Sequence, residues 1–321
     1  MDEFDIIRSW FAPLARSPGA AGLLDDVAEI ERPEGRLIVT TDAIVEGVHF
    51  LSDDPIGSLA AKLVRVNASD IIAKGGRLQG ALLTLVWPRT RPKSDIGVFA
   101  HRLGEELALW GGHLVGGDTC ATDGPLVLSL TLTGLCGERG PVRRAGARPG
   151  EDLWVTGSIG DSWLGLQAIT RPDFDVAAED RAWLIARYRE PDPPSPAFAE
   201  CIAEFASASA DVSDGLAADA QRIASASGVG LVIDGARIPL SEAAQRWMDG
   251  SPEADLGRLA TGGDDYQALF SASPRDRAAL EASARSLGVR LTLIGGVVGT
   301  GGVRLEGVEV PAAAGWSHFQ S

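Results

Sequence analysis

Aspartates stand beside small or hydroxyl-bearing residues at several places along this 321-residue chain. These places are Asp25 with Asp26, Asp42 after Thr40 and Thr41, Asp70 after Asn67 and Ser69, Asp118 in GGDT, Asp211 with Asp214 in DVSDG, and Asp264 with Asp265 in GGDDY. Each place alone is typical of a helix cap or a turn. Carboxylates that converge from separate strand ends and helix starts repel one another unless a hard cation lies between them. Since oxygen ligands select Mg²⁺, the set predicts a magnesium site.

The charge balance narrows the class of ligand. The net charge is -15, and Lys62, Lys74 and Lys93 are the lysines of the chain. An acidic surface of this kind argues against binding to nucleic acid or to an anionic membrane. A chain with many aspartates and few lysines instead suggests a nucleotide whose phosphates are neutralised by several magnesium ions.

The sequence lacks the motifs of several other kinds of binding or catalytic site. The sequence has no GxxxxGK[ST] phosphate loop, no GxGxxG in a strand-to-helix context and no GxSxG nucleophile motif. The four histidines, which are far apart and form no zinc-ligand spacing, are His49, His101, His113 and His318.

The order of apolar patterns predicts two mixed α/β domains. Strand-like segments around 37–39, 80–87 and 126–136 alternate with helix-like segments over 57–73 and 94–110. A turn-rich stretch over 137–152 interrupts both periodicities, and the mixture then begins again at 153–157. We therefore expect domains over residues 1–140 and 141–321.

The cysteines and the N-terminal residues bear on the compartment. Cys120, Cys136 and Cys201 are an odd, widely spaced set, which favours a reducing environment. The first ten residues, MDEFDIIRSW, lack the basic and apolar regions of a secretory signal. We expect a cytoplasmic protein.

An ordered series of motifs carries a resemblance to a known family. The motifs are TTDAIVEGVHF (40–50), VNASD (66–70), LVGGDT (114–119), RRAGARPGEDLWVTGSIGD (143–161), DVSDGL (211–216) and GGDDY (262–266). In this order they resemble the thiamine-monophosphate kinase family, within the larger group of aminoimidazole-ribonucleotide-synthetase-like ATP-binding proteins. The resemblance runs from about residue 20 to the C-terminal residues.

The resemblance implies roles for individual residues. Those matching metal-binding positions around the ATP phosphates are Asp25, Thr40, Thr41, Asp42, Asp70, Asp118, Asp211 and Asp214. Those matching nucleotide contacts are Gly117, Asp118, Arg144 and Ser213, and those matching positions near thiamine phosphate are His49, Asp264 and Trp316. The residues themselves leave alternatives open: Arg143 or Arg148 in place of Arg144, a core histidine for His49, and an apolar anchor for Trp316.

The resemblance also implies a fold and a reaction. The fold is a two-domain α/β (mixed α+β) architecture whose N-terminal sheet pairs across a homodimer, with ATP contacted by both domains. Residues 1–140 would bind ATP and Mg²⁺, and residues 141–321 would complete the nucleotide and substrate site. The reaction is Mg²⁺-dependent, direct in-line transfer from ATP to thiamine monophosphate, which gives thiamine diphosphate. A phosphate monoester is already anionic near neutral pH, so no general base is required, and Arg144 would offset the charge repulsion.

Some residues depart from the family pattern. Leu24 in GLLDD replaces a glycine, IIAKGG (71–76) replaces an Ala-Met-Gly run, Asp264 replaces a glutamate, and GWSHF (315–319) replaces GWDHF. None of these changes removes a predicted metal carboxylate.

Two alternatives differ from this kinase function. One is another enzyme of the larger group: selenophosphate synthetase would show an N-terminal reactive cysteine or selenocysteine, and the hydrogenase-maturation member a C-terminal cysteine, whereas the first cysteine here is Cys120 and the chain ends HFQS. Aminoimidazole-ribonucleotide synthetase is disfavoured by TTDAIVEGVHF and the C-terminal GW pair. The other alternative is a non-catalytic magnesium-nucleotide sensor.

Overall fold

The computed structural model describes residues 3–24 and 34–309, so Asp25 and Trp316 lie outside the described residues. The chain divides into two compact units. The first unit comprises Met1–Ile71 and Gly76–Gly140, and the second comprises Ile72–Gly75 and Pro141–Ser321. Each unit combines one β-sheet with helices, which confirms the mixed α/β, two-domain class expected from the sequence.

The first unit is built on a four-stranded sheet with the order β1-β4-β2-β3. Its elements are α1 (Glu3–Ile6), a π-helical turn (Ile7–Phe11), 3₁₀ turns (Ala12–Leu14 and Pro18–Leu23), β1 (Arg36–Val45), α2 (Ile56–Ala73), β2 (Arg77–Pro88), α3 (Ser94–Leu109), β3 (His113–Thr122) and β4 (Val127–Cys136). β4 pairs antiparallel with both β1 and β2, while β2 and β3 are parallel.

The two faces of the first sheet differ in burial. Alternate residues of the central strands, such as Leu83 and Leu130, are buried on one face. α2 lies against this face, since a Cβ atom at Gly134 would come within 2.7 Å of the Ile71 side chain. On the other face, apolar side chains of β1 and β2 are exposed. The period-two alternation therefore marks one helix-covered face and one open face.

The second unit is built on a six-stranded sheet with the order β10-β7-β9-β5-β8-β6. Its elements are β5 (Asp152–Thr156), α4 (Asp161–Thr170), α5 (Ala178–Arg189), α6 (Phe198–Phe205), β6 (Ala206–Asp211), α7 (Leu216–Ser227), β7 (Gly230–Asp234), a 3₁₀ turn (Gly235–Arg237), α8 (Glu242–Gly250), α9 (Leu256–Thr261), β8 (Ala268–Ala272), a 3₁₀ turn (Pro274–Asp276), α10 (Arg277–Ser286), β9 (Leu291–Val298) and β10 (Val303–Glu306). Every residue of β5 and β8 is buried, as expected for strands covered on both faces.

Two predicted site residues lie inside their strands and not at the strand ends. Asp42 and Asp118 were expected at strand ends or helix starts, but they lie inside β1 and β3. The reason is strand pairing: β1 stays paired with β4 as far as Val45, and β3 stays paired with β2 as far as Thr122. Among the described residues, no helix is long and apolar enough to span a bilayer.

Candidate functional site

A carboxylate cluster in the first unit joins β1 to α2. Thr40 and Asp42 are two residues apart on β1, so both side chains point to the helix-covered face. The Thr40 hydroxyl donates a 2.6 Å hydrogen bond to Oδ2 of Asp70 on α2. The Asp42 backbone N–H donates to Oδ1 of buried Asn67 at 2.9 Å, and the Asn67 amide donates to the carbonyl of Leu63. We call Thr40, Asp42 and Asp70 the β1–α2 cluster.

The β1–α2 cluster lacks an internal cation. Burial, reinforced by the negative charge of Asp70, raises the pKa of Asp42 from 3.8 to about 6. Neither carboxylate forms an ion pair with another residue in the described part of the chain. The cluster offers two carboxylates, one of them oriented by the Thr40 hydroxyl, and carboxylate oxygens are the ligands that fit Mg²⁺.

No described group of three or more His, Cys, Asp or Glu side chains comes together to hold a metal ion. Magnesium in nucleotide sites is commonly held by one or two protein carboxylates together with water and substrate phosphates. The Asp42–Asp70 pair is consistent with a site of that kind.

Thr41 and Asp118 lie on the open face of the same sheet. Thr41 accepts a 3.0 Å hydrogen bond from the Thr131 hydroxyl across the β1–β4 pair. Asp118 pairs with Thr84 on β2, whereas Asp42 pairs with Leu130 on β4. Leu130 in turn pairs with Leu83, the residue before Thr84, so Asp42 and Asp118 lie in adjacent rows. Since adjacent rows of a sheet face opposite sides, the first unit by itself does not bring Asp118 or Thr41 to the β1–α2 cluster.

Gly117 has a packing role in addition to the nucleotide contact expected from the sequence. A Cβ atom at this position would lie 2.1 Å from the carbonyl oxygen of Leu83 on the neighbouring strand. A side chain there would therefore force β2 and β3 apart. The close strand contact is sufficient to require glycine at position 117.

His49 lies in the turn after β1 and is half-buried. Its Nδ1 accepts a 3.1 Å hydrogen bond from the backbone N–H of Val45. In the neutral ring the proton is therefore on Nε2. The buried Lys62 ammonium donates to the His49 carbonyl at 2.9 Å, which holds this turn against α2.

In the second unit, β6 ends at Asp211, and the short loop after it carries Ser213 and Asp214. Oδ2 of Asp219, which is completely buried on α7, accepts hydrogen bonds from the backbone N–H groups of Ser213 and Asp214 at 3.0 Å each. Arg222, one turn further along α7, forms ion pairs with Asp219 and Asp214. We call Asp214, Asp219 and Arg222 the α7 cluster.

Sequence reasoning missed Asp219 and Arg222. Their signal was available, because an Asp and an Arg three residues apart interrupt the apolar face of an otherwise Ala-rich helix, LAADAQRIASAS. That spacing is typical of an ion pair on a helix.

A second loop, over 262–267, is bonded to the first. The backbone N–H of Asp264 donates to the Ser213 carbonyl, and that of Tyr266 donates to the Val212 carbonyl, both at 2.8 Å. Asp264 and Tyr266 have φ values of 62° and 53°, which β-carbon-bearing residues rarely adopt. The Tyr266 hydroxyl donates to Asp264 at 3.0 Å. Ser213, Asp214 and Asp264 are therefore held in one strained pair of loops.

Two buried carboxyl groups lie in or beside this loop pair: Asp265, which was grouped with Asp264 among the carboxylates that predict a magnesium site, and Asp161, which was given no role. Asp265 accepts hydrogen bonds from the backbone N–H of Gly160 at 2.9 and 3.0 Å, which satisfies the start of α4. Burial raises the pKa of Asp265 well above its ordinary value, and burial also raises the pKa of Asp161. Hydroxyls of Ser158 and Ser241 donate to Asp161 and oppose that rise.

Arg144 lies on an exposed loop whose backbone is fixed. The Ser227 hydroxyl donates to the Arg144 carbonyl at 3.0 Å, and the Arg143 carbonyl accepts from the N–H of Ser209 at 2.9 Å. The side chains of Arg143, Arg144 and Arg148 are all exposed. Exposure therefore does not distinguish Arg144 from its two neighbours as a phosphate ligand.

Comparison with protein families supports the resemblance found in the sequence. The family model of the AIR synthase related protein N-terminal domain matches residues 24–136. The model of the corresponding C-terminal domain matches residues 148–308. The two models together span most of the chain.

Individual relatives agree with the family models. The thiamine-monophosphate kinase of Caulobacter vibrioides is 42% identical over 323 residues, covering 98% of this chain and 90% of the relative. The crystal structure of the thiamine-monophosphate kinase of Stenotrophomonas maltophilia matches at a TM-score of 0.84 and 32% identity, covering 95% of each chain. A structure described as AaThiL complexed with AMPPCP and TMP matches at 0.78 and 30%, covering 92% of this chain and 91% of that one. This chain belongs to the thiamine-monophosphate kinase family, within the AIR synthase related proteins.

Proposed function

We propose that this protein transfers the γ-phosphoryl group of ATP to thiamine monophosphate and forms thiamine diphosphate. The observation that carries the proposal is the β1–α2 cluster, where Asp42 and Asp70 lie together, with no cationic partner among the described residues, in a chain of this family. Its relative AaThiL is described in complex with AMPPCP and TMP, which are an ATP analogue and the proposed acceptor.

Magnesium is the metal that the donor set fits. Asp42 and Asp70, with Thr40 beside them, would hold it in the first unit. Asp211 and Asp214 would do so in the second, and Asp25, Thr41 and Asp118 remain proposed ligands. Bound Mg²⁺ neutralises the negative charge of the ATP phosphates during transfer.

Apart from charge neutralisation, phosphoryl transfer requires the two substrates to be oriented, and it requires little proton transfer. The second pKa of a phosphate monoester is about 6, so the acceptor oxygen is already anionic near neutral pH. We propose that the Ser213, Gly117 and Asp118 positions hold the nucleotide, and that the Arg144 guanidinium offsets repulsion between the two anions. His49, Asp264 and Trp316 would orient the acceptor. The transfer is then direct and in line, without a phosphoenzyme.

We also propose that the protein is a cytoplasmic homodimer that pairs through the open face of the first sheet. Residues 1–140 would be the ATP-binding, Mg²⁺-binding and dimerisation domain, and residues 141–321 would complete the nucleotide and substrate site. In support, Leu37, Val39 and Leu82 on that face are 50%, 67% and 40% exposed. Apolar side chains grouped on one sheet face favour a protein interface.

A turnover assay tests the proposed function. Purified protein is incubated with ATP and thiamine monophosphate, with Mg²⁺ or with a chelator, and ADP and thiamine diphosphate are quantified. We expect equal amounts of both products with Mg²⁺ and neither with the chelator. Nucleotide binding without thiamine diphosphate formation would instead support the sensor alternative.

A further inference from the structure

A cavity of ≈ 230 Å³ lies inside the second unit, beside the loop that carries Asp264. It is larger than the ~150 Å³ cavity that is known to accept a benzene molecule in a protein core. The residues that line it include Ser158, Asp161, Ser162, Trp183, Arg187 and Asp264. A single substituted six-membered ring therefore fits the cavity by size.

One polar group in the wall has no partner. Ser162, in the first turn of α4, is 3% exposed, and its hydroxyl makes no hydrogen bond within the described residues. Its neighbours are satisfied: Asp161 accepts from Ser158 and Ser241, and Gln267 bonds to Thr156 and Asp192. A buried hydroxyl without a partner is costly, and a ligand that bonds to it removes that cost.

The cavity also has an aromatic wall. Trp183, on α5, is 38% exposed and lines the cavity. The guanidinium carbon of Arg187 lies 4.9 Å from the centre of its ring, and Arg187 is in turn held by Asp192 through a 2.9 Å ion pair. The indole is therefore supported in place as a surface for stacking a flat ring.

The charges in the wall argue against an anion. Its carboxyl groups, Asp161, Asp192, Asp264 and Asp265, outnumber its guanidinium groups, Arg187 and Arg290. Arg187 is already paired with Asp192, and Arg290 donates to the Leu240 carbonyl. Burial raises the pKa of Asp161 and Asp265 and so favours their neutral forms, but the wall still has no excess of positive charge to attract a phosphate. A neutral or cationic ring with N–H donors would instead meet carboxyl oxygens that can accept hydrogen bonds.

We propose that this cavity binds the aminopyrimidine ring of the acceptor, with the Ser162 hydroxyl hydrogen-bonded to the ring and Trp183 stacked on it. The inference rests on the proposed function, since it takes thiamine monophosphate as the acceptor. Thiamine carries its aminopyrimidine ring at the end remote from the phosphate, which matches a cavity that disfavours anions. Ser162 and Trp183 are then specificity-determining residues for the ring end of the substrate.

Binding measurements on the full chain test the inference. Thiamine monophosphate, and separately the free hydroxymethyl-substituted aminopyrimidine, are titrated calorimetrically into wild type, Ser162→Ala, Trp183→Ala and Trp183→Phe. We expect Ser162→Ala to weaken both ligands roughly fivefold and Trp183→Ala roughly tenfold. Trp183→Phe retains a stacking face and should recover most of the affinity. The KM for ATP should change by less than about twofold in every variant.

Ser209→Ala is the matched control. The Ser209 hydroxyl is also buried without a described partner, but Ser209 lies on β6 and does not line the cavity. The control should bind both ligands as wild type does, and the melting temperatures of Ser162→Ala and Ser209→Ala should not fall, because each change removes an unsatisfied group.

The outcomes separate the inference from the proposed function. If wild type makes thiamine diphosphate while Ser162→Ala and Trp183→Ala bind thiamine monophosphate normally, the cavity inference is wrong and the proposed function stands. Equal losses of ATP and thiamine monophosphate affinity would also overturn the inference. If wild type binds the aminopyrimidine in a Ser162-dependent manner but makes no thiamine diphosphate, the proposed function is wrong, and what stands of the inference is that the cavity binds the ring.

Discussion

The β1–α2 cluster and the α7 cluster contain similar acidic side chains but differ in what neutralises them. In the α7 cluster, Arg222 pairs with both Asp214 and Asp219, so the fold supplies its own cation. In the β1–α2 cluster, the described hydrogen bonds of Asp42 and Asp70 include those with the Thr40 hydroxyl and the Asn67 amide, and neither carboxylate has an ion pair among the described residues. The comparison teaches that an acidic motif indicates an external metal most strongly where the folded chain leaves the charge uncompensated.

The largest expected effect is on turnover at the β1–α2 cluster. We predict that Asp42→Asn lowers kcat at least about a hundredfold, because it removes the charge of a proposed metal ligand while keeping the side-chain shape. The melting temperature without metal should not fall, since the change also removes repulsion from Asp70. Steady-state kinetics and thermal unfolding in chelator measure the two effects.

Asp123→Asn provides the control for this variant. Asp123 is an exposed residue of the same unit, paired with Arg89 at 3.4 Å. Its replacement should leave kcat and melting temperature close to wild type. Turnover by Asp42→Asn at the wild-type rate would remove Asp42 from the proposed metal site and with it the contrast between the clusters.

The next effect is on stability at the α7 cluster. We predict that Arg222→Gln lowers the free energy of unfolding by about 2 kcal/mol, roughly thirtyfold in the folding equilibrium, because Asp219 stays buried without its cation. The figure lies below that of a fully buried pair because Arg222 is 38% exposed. Urea denaturation in chelator measures it.

Melting temperatures measured with added Mg²⁺ test whether Arg222 is what distinguishes the α7 cluster from the β1–α2 cluster. Mg²⁺ should raise the melting temperature of Arg222→Gln more than that of wild type, because Asp214 then no longer has to give up its Arg222 partner to bind the metal that we propose for it. The control is Arg304→Gln, which breaks an exposed pair with Glu306 and should lose well under 1 kcal/mol. A loss no larger than the control's would show that Arg222 does not neutralise the α7 cluster.

A smaller effect is expected on the pH dependence of stability. The folded-state pKa of Asp42 is raised from 3.8 to about 6, so the folded protein holds this proton more tightly than the unfolded chain. Ionised Asp42 therefore lowers the free energy of unfolding. This loss is absent below pH 3.8, grows as the pH rises from 3.8 to about 6, and is complete above about pH 6. Asp42→Asn does not titrate and escapes this loss.

We therefore predict that, without metal, Asp42→Asn has the same free energy of unfolding as wild type near pH 3.8. At neutral pH it should be more stable by about 1 kcal/mol, after allowance for solvent screening. Chemical denaturation of both proteins across this range, in chelator, measures the difference. A difference that stays constant with pH would mean that Asp42 titrates normally.

Strong periodicity made part of the fold predictable. The helix expected over 57–73 is Ile56–Ala73, and the strand expected over 126–136 is Val127–Cys136. Two strands were not predicted, β3 (HLVGGDTCAT) and β6 (ASASAD), because their glycines and small residues give no apolar alternation. Both are edge strands, and pairing with β2 and β8 supplies the order that their own sequences do not.

The candidate site was predictable in its residue types but not in its grouping. Thr40, Asp42 and Asp70 form one cluster, yet Asp118 lies on the opposite sheet face, which only the register of β3 against β2 reveals. The spacing of Asp219 and Arg222 was readable in the sequence, but the pairing of Arg222 with Asp214 became visible only in the fold. Contacts distant in sequence decide which carboxylates remain uncompensated.

The smallest effect tests what Thr40 does within the β1–α2 cluster. Its hydroxyl donates to Asp70, so in this arrangement it orients a carboxylate. We predict that Thr40→Val, which keeps the shape and loses one hydrogen bond, lowers kcat only two- to fivefold, or about 0.5–1 kcal/mol. Steady-state kinetics beside Asp42→Asn measures it. A loss as large as that of Asp42→Asn would instead make the Thr40 hydroxyl a metal ligand, and the cluster would then supply three side-chain ligands in place of an oriented pair of carboxylates.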